Sequence, residues 1–553
     1  MSLSAAASSF RPFATFALIW AITTLCHQLA FTFWAQSWQG WLLVVTASAS
    51  VFKPSCVARF SMLVITSVIN LFNKLPFVPN HILFEGMLHG IMLLGLLGFF
   101  FSKQGRDEWR QIGEGWKRHL PLLMLAIVLK WAYFALNFLP KGHVFGAITT
   151  LILVIALIRM LVKAPTMGGG DVYLSRFAPV VRTAVVLMYF WAGTQKLNWD
   201  YLDPAISCAA VLHTEIAAYF GNFVPTDTWA LHGAIWGSYV FEFGIPLLLV
   251  FKRTRLIGFA VAIFFHLWLS IHPAAGIFSF SSLILAVLAL FLPESWGSKL
   301  QELWKKQLNW LGRGDERKGR KIAAWIAVGG FFLTLAIQGT LYLTIAKSYD
   351  VFWKANRIGW VAFFTWGLWI SANYLIAGWR TRGEDRSFPN KPKWNLAWIG
   401  LLPVIINGFL PWIGARTQTS FSMYSNLRSE GESNHMFFKR VDLFQYQSDM
   451  VEVLEAKPNI LDPSESPTGI GNFANIGHRI IPAFELRRLV SEWPEDRPLE
   501  IKYVRDGEIL DLGRKNGVEY GDSEWFERLP LYQRKLMWFR RLESIDEPMC
   551  CTH

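Results

Sequence analysis

Charge is scarce in this 553-residue chain: Asp, Glu, Lys and Arg make up only 17% of it, while 53% is hydrophobic and 15% aromatic. A soluble protein of this length carries roughly 25% charged residues, so a string of water-soluble domains is excluded, and the apolar content excludes disorder. Cysteine is scarce as well. Cys26, Cys56 and Cys208 are isolated, and adjacent Cys550 and Cys551 do not suggest a standard disulfide framework. No Cys-x-x-Cys or His-Glu-x-x-His is present, and no internal repeat or low-complexity tract is evident. Met167-Gly-Gly-Gly-Asp171 lacks the lysine and the spacing of a phosphate loop and reads as a turn.

What is abundant is long apolar runs. A bilayer core of about 30 Å needs about 20 mostly apolar helical residues. Stretches near 13–34, 82–102, 120–139, 144–163, 178–197, 229–251, 255–272, 277–293, 322–345, 358–379 and 396–415 meet that requirement, and 40–52 and 60–75 fall short of a comfortable length. The expected fold is a polytopic all-α membrane protein of about 11–13 transmembrane helices over residues 1–415. Arg11 precedes the first run, but no convincing cleavage site follows, so that run reads as a retained span.

The surplus of 53 Lys and Arg over 40 Asp and Glu is placed unevenly. Lys103, Arg106, Arg110, Lys117 and Arg118 share one loop, and Lys299 to Lys321 is another basic loop. Lys252-Arg253-Thr-Arg255 and Arg380 to Lys393 join them, whereas Leu197 to Phe251 has no Lys or Arg and carries Asp200, Asp203, Glu215 and Asp227. Positive-inside orientation predicts a cytoplasmic N-terminus and an extracytoplasmic C-terminal region, periplasmic, lumenal or extracellular. Loop bias of this kind needs no nucleic-acid partner; the lipid bilayer is the expected one.

After Gly414 the composition turns polar, and 416–553 is expected to form a small extracytoplasmic α+β domain. Asp506-Gly507 between two alternating runs predicts a hairpin. Phe484 to Trp493 and Glu524 to Leu542 read as amphipathic helices.

Ionisable residues inside spans are expensive, and each is a functional hypothesis. His81, Glu85 and His89 are spaced four and four, on one helical face. A carboxylate between two imidazoles tunes their basicity or holds a metal, against the plainer reading of a polar stripe that pairs with neighbouring helices; no metal site is assigned. Lys196, in Gly193-Thr-Gln-Lys-Leu-Asn, stands at the outer end of its span beside the acidic loop. A desolvated ammonium works as a base or nucleophile, and an interfacial one simply snorkels. Glu242 lies well inside a span, with Lys130 as one candidate partner; His266 lies deep in the next span, and His272 near its outer end. Under this topology His81, Lys196, His213, His232 and His272 all lie towards the outer side.

At these residues the chain resembles the HTTM family, whose best-known members are the vitamin K-dependent gamma-carboxylases. The resemblance rests on Tyr189-Phe-Trp-Ala-Gly-Thr-Gln-Lys-Leu-Asn-Trp-Asp, on Glu242 through Phe251-Lys-Arg-Thr-Arg-Leu-Ile-Gly, on Phe265-His266 followed by Gly276-Ile-Phe-Ser-Phe, and on Asn80-His81. It covers roughly residues 60–295. In the carboxylase the lysine of Gly-x-x-Lys-Leu is the base that starts oxygenation of reduced vitamin K; a glutamate side chain then loses a proton, and the carbanion captures carbon dioxide. The resemblance therefore implies Lys196 as catalytic base, with His81, Glu85, His89, Glu242, His266 and His272 as pocket candidates. It further implies a reduced quinone as cofactor and a protein or peptide substrate at the outer face. The family's second functional histidine has no counterpart in Phe99-Phe-Phe-Ser-Lys103. The competing expectation is a non-catalytic transport or binding protein whose polar stripe lines an intramembrane pocket.

Overall fold

The computed structural model describes residues 11–30, 37–103, 169–272, 275–345, 349–384, 393–441, 443–458, 480–542 and 547–551, with a few isolated positions besides. The spans expected near 120–139 and 144–163 lie almost wholly outside the described residues, as does Lys130.

In chain order the main helices are α1 (Pro12–Ala30), α2 (Trp38–Phe52), α3 (Val57–Lys74), α4 (Asn80–Phe100), α5 (Gly170–Gln195), α6 (Cys208–Ala217), α7 (Thr228–Val250), α8 (Arg255–Leu269), α9 (Ala275–Val287), α10 (Glu294–Leu311), α11 (Glu316–Ile345), α12 (Tyr349–Arg380), α13 (Leu401–Phe409) and α14 (Ala483–Glu492). Among the described residues, six helices are long and apolar enough to cross a membrane: α1, α4, α5, α7, and the parts of α11 and α12 at Glu316–Leu341 and Arg357–Arg380. These coincide with six of the expected spans. α8, expected as a span, is apolar but 15 residues long, which at 1.5 Å per residue is about 22 Å and short of a bilayer core; α2, over the stretch that already reads as short, has the same length. Leu396–Phe409 is shorter still. The run expected at 277–293 is one limb of a bent pair, Gly276–Phe291 and Glu294–Leu311, turned by 117°. Pro293 sits at the break, where its missing N–H and fixed φ suit a new helix start and not a continuation.

Burial shows why these helices need lipid. Only 22% of the most apolar stretch of α11 and 28% of that of α7 is buried. Trp325, Ile326 and Leu333 on α11, and Trp229, Trp236 and Val240 on α7, are exposed. Faces this apolar are stable in a bilayer and not in water.

The chain forms two compact units: Met1–Asn70, Glu85–Val185 and Ile245–Leu402 make the first, and Leu71–Phe84, Val186–Gly244 and Pro403–His553 the second. The first unit is helical, and α1 is its core helix. α1 is apolar all round and buried over 83% of its length, packed by α2 and α9. Phe13, Phe16, Phe60, Tyr173 and Phe177 interlock there through tilted and edge-on ring contacts.

The second unit contains an antiparallel five-stranded sheet in the order β2-β1-β3-β4-β5, from β1 (Met450–Lys457), β2 (Ile480–Pro482), β3 (Leu499–Arg505), β4 (Glu508–Lys515) and β5 (Val518–Tyr520). Asp506 and Gly507 both take positive φ and turn β3 into β4, the hairpin expected from the sequence. Asn516 and Gly517 repeat the device between β4 and β5. Leu486, Leu489 and Val490 of α14 pack on Val451, Val453, Ile501, Tyr503 and Leu512. The expected helix over 524–542 is not continuous. A short turn at Ser523–Trp525 and the six-residue helix Leu531–Leu536 replace it, because Pro530 cannot extend a preceding helix and instead begins a new one. The chain then leaves helical geometry, and Leu542 bridges Ile480 of β2.

Candidate functional site

The Gly-x-x-Lys-Leu segment ends a helix inside the second unit, and its local hydrogen bonds explain its shape. The helix α5 stops at Gln195, whose side-chain amide donates to the carbonyl of Gly408 at 2.9 Å. Asn198 then caps the next turn: its Oδ1 accepts from Tyr201 N at 2.9 Å, and its Nδ2 donates to Gln195 O at 3.1 Å and Ser425 O at 2.7 Å. Between these two anchors sits Lys196. Its backbone carbonyl accepts from the Tyr239 hydroxyl at 2.6 Å.

Lys196 Nζ lies 2.9 Å from Glu242 Oε1, and both side chains are buried. Lys130, the partner for Glu242 that the sequence offers, lies outside the described residues; among those described, the partner of Glu242 Oε1 is Lys196. Glycine at 193 makes the pairing sterically available, since a Cβ there would stand 2.7 Å from the ring of Phe243, the neighbour of Glu242. The ring of Tyr201 lies 5.8 Å from the ammonium, and the Tyr201 hydroxyl bonds Ser238 Oγ at 2.7 Å. Tyr189 and Tyr201 are fully buried near the same carboxylate. Glu242 Oε2, by contrast, is buried and has no hydrogen-bond partner among the described residues. The arrangement is an amine nitrogen held at one carboxylate oxygen beside aromatic rings, with the second oxygen uncommitted among the described residues. An uncommitted carboxylate oxygen in apolar surroundings is a strong acceptor for an O–H or N–H.

The remaining candidates form separate groups. In the first unit, Glu85 Oε2 lies 2.9 Å from His27 Nδ1, and His27 Nε2 lies 2.5 Å from the carbonyl of Ser279. Trp20 donates its indole N–H to His89 Nε2 at 3.0 Å. Glu85 and His89 thus meet residues of α1, and His27, the partner of Glu85, was not singled out from the sequence. Its position in the first apolar run gave only a composition signal. His266 is wholly buried in the first unit, 3.5 Å from Ser281 Oγ through Nδ1 and edge-on to Phe265 and Phe280. His272 is half-buried in the bend three residues after the end of α8. His81 is buried in the second unit, next to Asn80, whose Oδ1 accepts from Phe421 N at 2.8 Å. Among the described residues no group of three or more His, Cys, Asp or Glu is placed to hold a metal.

The C-terminal region supplies what the sequence did not show. His435 Nε2 lies 2.9 Å from the carbonyl of Thr194, and its Nδ1 accepts from the N–H groups of Phe437 and Phe438 at 3.1 and 3.0 Å. Met436 N donates to Leu197 O at 2.9 Å, and Asn198 and His435 form a bridge. Cys208 and Cys551 form a disulfide, although neither the isolated Cys208 nor the adjacent Cys550-Cys551 pair suggests one from the sequence. Met549 N donates to Asp200 Oδ2, so the irregular segment 547–551 is tied to the turn that follows Lys196.

Residues 175–296 match the family model of the HTTM domain, a family associated with vitamin K-dependent gamma-carboxylase-like proteins. The match contains Lys196, Glu242, His266 and His272; His81, Glu85 and His89 precede it. No curated protein and no solved structure matches the chain.

Proposed function

We propose that this is a membrane-embedded enzyme of the gamma-carboxylase-like kind, in which Lys196 is the base and Glu242 the group that manages its proton and receives the substrate hydroxyl. The observation that carries the reading is the buried Lys196–Glu242 contact at 2.9 Å, with Glu242 Oε2 an acceptor that has no partner among the described residues. As the base, Lys196 would act as the neutral amine, the form that abstracts a proton, with the Glu242 carboxylate beside it to take up and return that proton. The tyrosine rings exclude water, which keeps the abstracted proton within the pair.

The donor set fits a reduced quinone: an aromatic wall for the ring, an acceptor for its O–H at Glu242 Oε2, and a base at Lys196 Nζ. Such a cofactor supplies the oxidisable ring whose reaction with dioxygen drives proton removal from a glutamate side chain before carboxylation. The protein or peptide substrate would approach from the outer face. That face is extracytoplasmic in this reading, with the N-terminus cytoplasmic and α+β residues 416–553 outside. Two features support it independently of each other: the basic loops on the opposite side, and the Cys208–Cys551 disulfide, which persists in oxidising compartments.

The test is hydroquinone turnover by full-length protein in lipid nanodiscs. Lys196→Gln keeps a donor for Glu242 and removes the base, and it is expected to lower turnover about 10²–10⁴-fold, the usual worth of a positioned base. Turnover equal to that of the native protein would overturn the role of Lys196. Absence of turnover in the native protein, with bound solute instead, would favour the binding or transport reading.

A further inference from the structure

Residues 436–444 of the C-terminal region carry an apolar surface that the composition of 416–553 conceals. Phe437, Val441 and Leu443 are 71%, 58% and 65% exposed, and Phe438 and Phe444 are exposed beside them. Lys439 is exposed within the same stretch. Five large apolar side chains in eight residues would be a liability in water.

The anchors of this segment fix its level. It begins at His435 and Met436, which bond Thr194 O and Leu197 O at the end of the spanning helix α5. It continues through Val441 N, which donates at 2.8 Å to Trp412 O just after the apolar helix α13. Phe438 packs on Trp412, 5.5 Å between ring centroids. The end of a spanning helix such as α5 lies near the membrane–water interface, and a segment bonded to it is held at that level; Ile406 and Phe409 on α13 of the same unit are exposed as well. The backbone is prepared for that depth. Phe437 and Phe438 donate to His435 Nδ1, and Leu443 donates to Val441 O, so these amides do not depend on water although the segment is irregular. Lysine interleaved with phenylalanine is the composition of interfacial anchors, where the cation reaches the headgroups and the rings enter the acyl boundary.

We propose that Phe437, Phe438, Val441, Leu443 and Phe444 insert into the interfacial zone of the bilayer, so that the C-terminal region is held on the lipid surface at the turn that carries Lys196. The occupant of this surface is lipid, and neither a peptide nor a second copy of the chain covers it. The assignment does not depend on the catalytic reading and stands if Lys196 has another role.

The test uses full-length protein in nanodiscs with Cys550→Ser, since Cys550 is exposed and Cys26 and Cys56 are buried. Phe437→Cys and Leu443→Cys are labelled singly with an environment-sensitive fluorophore, with Val518→Cys on β5, also exposed, as reference. The expected result is quenching at 437 and 443 by lipids bearing a spin label on the upper acyl chain, together with protection from aqueous iodide, and the reverse at 518. Iodide quenching at both 437 and 443 overturns the proposal. Shielding from lipid and iodide alike also overturns it, since a protein would then cover the segment. Two positions guard against failure of one variant to fold, and the thermal transition of each is compared with that of the parent.

Discussion

The two units each bury a carboxylate beside a nitrogen base at 2.9 Å, Glu85 with His27 in the first and Glu242 with Lys196 in the second. Their completeness differs. His27 is engaged at both ring nitrogens, by Glu85 and by the carbonyl of Ser279, so it staples α1 between two other helices. Glu242 uses one oxygen for Lys196 and leaves the other, buried, without a partner among the described residues. Buried polar groups in native proteins are satisfied, and an exception calls for an account. The first pair is closed and reads as architecture; the second is open on one side and reads as a site.

The largest expected effect separates these readings by crossing the two measurements. Lys196→Gln is expected to remove turnover by the factor given above, at a smaller stability cost than a fully broken buried pair, because the amide still offers Glu242 a donor. His27→Ala is expected to do the opposite: removing one member of a buried pair costs about 3–5 kcal/mol of stability, with turnover per folded molecule retained. Should both variants lose stability and activity in parallel, the distinction between an open and a closed pair falls.

A smaller effect is expected at Gly193. A leucine side chain there meets the ring of Phe243, so Gly193→Leu pushes α7 away and separates Glu242 from Lys196. Overpacking of this kind costs typically about 1–3 kcal/mol. The expected signature is lost turnover that the second change Phe243→Ala partly restores by making room. No recovery in the double variant would mean that glycine serves the helix end and not the contact.

Much of this was readable in advance, for physical reasons. Six spans announce themselves because a bilayer accepts only long apolar helices, and Asp506-Gly507 announces its hairpin because only such residues take positive φ at both turn positions. Asn516-Gly517 carried the same signal and identifies the second hairpin. Lys196 and Glu242 stood out singly as expensive charges. Their pairing did not, because the 46 positions from 196 to 242 are closed by tertiary packing that no local period encodes. The same holds for Cys208 and Cys551, which are 343 positions apart. The helix expected over 524–542 failed for a local reason that was present in the sequence, Pro530. His435 had no signal at all: its importance lies in what its two nitrogens touch.

The smallest expected effect is a pH dependence at His435, and it sharpens the comparison because this histidine, unlike His27, lies outside the spanning helices. Burial pushes the His435 imidazole below its ordinary value, and the bond to the Thr194 carbonyl opposes that only in part. The geometry agrees, since Nδ1 accepts two backbone N–H groups and a proton placed there would displace both. The folded protein therefore binds this proton less readily than the unfolded chain does. Stability from this group is complete above the ordinary histidine value near 6.5 and declines as pH falls below it towards the lower folded value. His435→Asn lacks the titration, so its stability, though lower throughout from lost packing against Trp412 and Phe438, is expected to fall less steeply between pH 7 and 5. The two thermal-midpoint curves in nanodiscs should converge as pH falls. Parallel curves would show that acid reaches the link between the C-terminal segment and the Lys196 turn through some other group.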